Sequence, residues 1–84
     1  LVNAVFPVAT FKEDVDKFLG EFLNKSRPVL VWTKRTIQAG MGKSFAEGLR
    51  AAEIMYLDGV MTCEDAKEGI AAFMEKRKAV WKDK

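Results

Sequence analysis

Apolar residues return along this chain at the spacing of a helix. Phe11, Val15, Phe18, Leu19, Phe22 and Leu23 stand at i, i+4, i+7, i+8, i+11 and i+12, with Lys12, Glu13, Asp16, Lys17 and Glu21 between them. One apolar stripe at that period predicts an amphipathic helix. Thr10 followed by Glu13 reads as a capping box at its start, which would satisfy two orphan amide donors. Ahead of it, "LVNAVFP" has the β-branched and aromatic content of a short strand or extended entry segment, stopped by Pro7. Gly20 weakens the helix by about 1 kcal/mol relative to alanine unless a neighbour packs closely there.

"NKSRP" breaks the pattern and restarts it. Ser26 can cap, and Pro28 is tolerated in a first turn, where its missing N–H needs no partner. "VLVWTKRTIQAG" then predicts a second helix over Pro28 to Ala39, with an apolar first turn that implies burial on several sides. Its β-branched residues leave a strand as the alternative for Val29 to Trp32. "GMGKS" reads as a loop. Ser44 and Glu47 form a second capping box, opening a third helix from Phe45 to about Leu57 that Gly59 stops. Thr62 reads as N-cap of a fourth helix, with Glu64 and Asp65 in the first turn, where the helix dipole favours carboxylates. Ala66, Ile70, Phe73, Met74 and Arg77 line one side of it, and cations gather at its end. The expected fold class is mainly α: about four helices after a short extended N-terminal segment, in one unit spanning residues 1–84.

Composition adds a constraint the pattern alone does not. The chain has 84 residues, of which 49% are hydrophobic. So small a chain cannot bury all of that in its own interior, so some apolar surface should face a partner. Charged residues make up 31%, which argues against disorder. A net charge of +2, spread along the chain except at "EKRKAVWKDK", does not make the basic face of a nucleic-acid binder. No apolar run approaches the roughly 20 residues of a membrane span, and no signal peptide is visible. One cysteine, Cys63, rules out an internal disulfide framework and suits a cytoplasmic setting. The chain opens on Leu1, not methionine, and is expected to be cut from something longer.

The candidate chemistry is sparse. Histidine is absent, which excludes Ser-His and Cys-His catalysis and most zinc sites from this chain, and no metal site is expected. Glu13 and Glu47 read as caps, Glu64 and Asp65 as dipole partners; mid-helix Glu53 and Glu68 have no such role. No catalytic residue is assigned. "AGMGKS" resembles a phosphate loop only in part: the position five before Gly42 is Ile37 where the pattern needs glycine, and no strand precedes it. Cys63 at a helix start, without histidine or a second cysteine, carries no reactive role. The last nineteen residues, "AKEGIAAFMEKRKAVWKDK", are the exception. They put Phe73, Lys76 and Trp81 close together and look built to lie against another chain or an anionic ligand.

"LVNAVFP", "TKRTIQAG" and "EDAKEGIAAFMEKRKAVWKDK", in that order and spacing, resemble the C-terminal part of the enoyl-CoA hydratase/isomerase (crotonase) superfamily over essentially the whole chain. The matching positions are Leu1-Val2-Asn3, Lys34, Glu68-Gly69, Ala72-Phe73 and Glu75-Lys76-Arg77. The resemblance implies a helical oligomerisation part whose catalytic spiral domain lies upstream. It implies no cofactor beyond a coenzyme A thioester as substrate, and a homo-oligomer, trimer or hexamer, as partner. By motif position it implies that Phe73 approaches the adenine or acyl tunnel and that Lys76 pairs with a phosphate of the coenzyme A nucleotide. A lysine suits that role, and helical spacing would put it one turn from Phe73. The parent enzyme would hydrate an enoyl- or dienoyl-CoA, or shift its double bond; these 84 residues alone would be inactive. The alternative is a free-standing helical bundle acting as an acyl-CoA or protein-interaction module, with neither nucleic acid nor membrane as partner.

Overall fold

The computed structural model describes residues 1–84. Four helices follow an extended entry: α1 (Phe11–Leu23), α2 (Arg27–Gly40), α3 (Phe45–Asp58) and α4 (Glu64–Met74). There is no strand. Val29 to Trp32 are helical, because Pro28 in the first turn presets the helical φ. The hydroxyls of Thr33 and Thr36 donate back to the carbonyls of Val29 and Trp32, each at 2.8 Å, so these β-branched residues add hydrogen bonds within α2.

Three expected side-chain caps are not made. Ser26 stands at the N-cap position of α2, but its hydroxyl donates to Asp65 at 2.6 Å and accepts no α2 amide. A 3-10 turn over Val8–Thr10 precedes α1 and satisfies the amides of Thr10 and Phe11 on the carbonyls of Pro7 and Val8. The Thr10 hydroxyl is thereby released, and it donates to Asp14 at 2.6 Å instead of closing a box with Glu13. A second 3-10 turn, Val60–Thr62, displaces Thr62 from the N-cap of α4: its hydroxyl donates to the Gly59 carbonyl at 2.7 Å and Cys63 takes the N-cap position. The Ser44–Glu47 box forms as expected in both directions. Between α2 and α3, Gly42 turns the chain at φ +72°.

α2 and α3 form the most extensively packed pair. Gly40 and Gly48 face each other there: a Cβ on Gly48 would lie 3.7 Å from the Gly40 Cα, so the backbones come unusually close. Gly59, after α3, sits under the Trp32 ring, and a Cβ would stand 2.6 Å from the ring edge. α1 packs against none of the other helices; its stripe gathers the aromatic entry residues, Phe6 meeting Phe11 and Phe18, and Phe18 meeting Phe22 at 5.7 Å between ring centres.

The consequence is a molecule without a core of ordinary size. Five residues of 84 are buried, and the buried hydrophobic ones are Cys63 and Ala72. The accessible surface is 7244 Å², against about 5,000 Å² for a compact monomer of this mass. The radius of gyration is 16.3 Å, where about 12 Å would be compact. The apolar stripes that make these helices predictable are left uncovered.

Candidate functional site

α4 was expected to carry its pattern through Arg77. It stops at Met74, where a left-handed turn closes it. The Lys76 amide donates to the Phe73 carbonyl at 3.2 Å and the Arg77 amide to the Ala72 carbonyl at 3.0 Å, the paired bonds of a Schellman end. Lys76 occupies the left-handed position of that motif at φ +53°, where glycine is usual. Phe73 and Lys76 are therefore not successive members of one helix face. Phe73 is on the last turn, 82% exposed; Lys76 is exposed on the turn that follows.

From that turn the last ten residues run back along α4 as a strap. Arg77 grips Glu68 with two parallel bonds, at 2.6 and 2.9 Å, and Glu75 at 2.5 Å. Glu68 also accepts the Val80 amide at 2.9 Å. Hydrogen bonds from Arg77 first, then from Val80, hold its carboxyl down at about 2 against partial burial. Arg77 in turn is pushed above its ordinary range by Glu68 and Glu75.

Farther along, the strap meets Asp65, which is 1% exposed. Its carboxylate accepts the Ser26 hydroxyl at 2.6 Å and the amides of Lys82 and Asp83 at 2.8 and 3.0 Å. Burial works to raise its pKa; the Ser26 hydroxyl and the strap amides outweigh it and keep the group ionised below the usual carboxylate range. One side chain thus joins the start of α2, the start of α4 and the chain's last residues. Trp81 lies between these attachments. Its Nε1–H donates to the Asn24 carbonyl at the end of α1, at 2.8 Å, and its ring covers Gly69.

Beside the strap opens an apolar groove of about 830 Å³, lined by Phe22, Leu30, Tyr56, Ile70 and Phe73 together with Trp81, Asp65 and Lys25. Phe73 reaches this groove; Lys76 does not line it. By sequence Asp65 is a dipole partner like Glu64, and Ser26 is a cap. Nothing in their local pattern distinguishes them, because their partners are up to 39 residues away. Glu68 left a trace, a mid-helix carboxylate with no local role, and the strap supplies the role.

The site is thus an open apolar groove on a helical chain, bordered by a strap folded back on the last helix. The chain belongs to the enoyl-CoA hydratase/isomerase family, which it matches over residues 1–84. It is 31% identical over 83 residues to a mitochondrial enoyl-CoA hydratase from Pongo abelii, covering 99% of this chain and 28% of that protein. It is 32% identical over 81 residues to a mitochondrial enoyl-CoA hydratase domain-containing protein 3 from Danio rerio, with 96% and 28% covered. A probable mitochondrial enoyl-CoA hydratase from Dictyostelium discoideum matches at 30% identity over all 84 residues, 30% of its length. The chain thus spans under a third of the relatives it matches. No helix is long and apolar enough to cross a membrane.

Proposed function

We propose that these residues are the helical C-terminal part of an enzyme that acts on enoyl-CoA thioesters, where they serve subunit association and contact the coenzyme A nucleotide. The reaction proposed for the parent is addition of water across the double bond conjugated to the thioester. What carries the reading is the family match over the whole chain. The uncovered stripes support it: Phe11, Phe22, Phe45 and Phe73 all remain largely exposed, whereas a free-standing bundle would turn such residues inward. They are suited to contact with a catalytic domain and with neighbouring copies in a trimer or hexamer. Phe73 offers a flat apolar surface for adenine, and Lys76 a point charge for a phosphate. A reducing compartment such as the cytoplasm suits the single buried thiol of Cys63; the relatives are named as mitochondrial.

The test uses the intact enzyme and two substrates: an enoyl-CoA, and the same enoyl group on a short thioester lacking the nucleotide. Phe73→Ala and Lys76→Met should each raise KM for the CoA thioester about tenfold with kcat little changed, and leave the truncated substrate unaffected. Equal effects on both substrates would refute a nucleotide contact.

A further inference from the structure

We infer that Asp65 and Glu68 are positioning residues that latch the C-terminal strap, Glu75–Lys84, along α4 and thereby fix the Trp81 indole in the lining of the groove. The strap has no secondary structure of its own, so its amides need partners from elsewhere. Two carboxylates supply them on either side of one residue: Glu68 accepts the Val80 amide, and Asp65 accepts those of Lys82 and Asp83. The backbone of Trp81 is thus pinned before and after its own Cα. Its side chain is then aimed at the Asn24 carbonyl and the bare surface of Gly69.

Both ends of the strap are fastened too. Arg77 is forked onto Glu68 where the strap begins. Where it finishes, the Lys84 carbonyl accepts the Asp65 amide at 2.9 Å, and the Asp83 carboxylate accepts the first amide of α2, from Arg27, at 3.0 Å. Lys76 and Asp83, the two non-glycine residues with left-handed backbone, stand near the two ends. Such positions persist where the surroundings hold them: the Schellman bonds to Phe73 and Ala72 hold Lys76, and Asp65 holds the amide of Asp83. Charge-assisted bonds to ionised carboxylates are stronger than neutral ones, which suits them to this task. Release of either carboxylate frees the indole and with it that part of the groove lining. The inference concerns this chain's own strap and stands whether or not the groove lies near coenzyme A.

The experiment follows the Trp81 indole N–H in the intact protein carrying 15N-tryptophan, its resonance assigned by its loss in Trp81→Phe. Glu68→Gln and Asp65→Asn should each speed exchange of that proton with D2O about tenfold or more. Trypsin should then cut after Arg77 or Lys78, while the Trp32 indole exchanges at its original rate. Unchanged Trp81 exchange in Glu68→Gln would overturn the inference, even if Asp65→Asn fails to fold. Equal acceleration of Trp32 and Trp81 would overturn it as well, since that reports general loosening.

Discussion

At the scale of the residue, Glu68 and Asp65 make the fold sensitive to acid. Arg77 and Val80 hold Glu68 at about 2 in the folded chain, against 4.5 for the free group. Asp65 is lowered as well, its hydrogen bonds outweighing its burial. Each group gives up its proton more readily folded than unfolded, so as pH falls the unfolded chain takes up protons first. The stability they add is complete above about pH 5 and is lost as the pH falls from there through the folded values. Denaturant midpoints between pH 7 and pH 3 should show this loss, and Glu68→Gln should remove part of the slope. A Glu68→Gln profile parallel to the native one would show that Glu68 does not contribute to it.

At the scale of the element, the α2–α3 pair depends on how near the chain passes to a ring. Gly59 is left without a side chain because the Trp32 ring edge occupies the place where a Cβ would stand, as does the Met55 carbonyl. Gly59→Ala should therefore cost about 1–3 kcal/mol by overpacking, measured by denaturant unfolding. Trp32→Ala is destabilising alone, but in its background the cost of Gly59→Ala should shrink. Additive losses in that double-mutant cycle would place the strain on the Met55 carbonyl instead. The fourth helix shows the other control on an element. Its expected face runs on to Arg77, yet the left-handed turn at Lys76 ends it, and the residues beyond pair with Glu68 and Asp65 instead of extending the helix.

At the scale of the whole molecule, the excess surface sets the behaviour of these 84 residues in isolation. They expose far more surface than a chain of this mass ordinarily does, and large apolar side chains lie on it. The isolated chain should sediment faster as its concentration rises, and its thermal midpoint should climb with concentration. Sedimentation over a hundredfold dilution checks this. A single monomeric species with a constant midpoint would mean that the stripes cover one another in solution.

The sequence by itself determined the number and approximate extent of the helices, the cap at Ser44 and the loop after Gly40, because each depends on residues a few positions apart; the family was legible in the order and spacing of motifs along the whole chain. It also showed that more apolar surface exists than this chain can bury. Tertiary structure alone decided where α4 ends, which carboxylates matter and where Trp81 points. Asp65 and Glu64 look alike in sequence, and only the return of the strap from residues 82 and 83 makes one of them the anchor. The physical reason is range. Helical period and capping are local energies written in neighbouring letters, whereas a buried carboxylate takes its meaning from amides and a hydroxyl that only the folded chain brings to it.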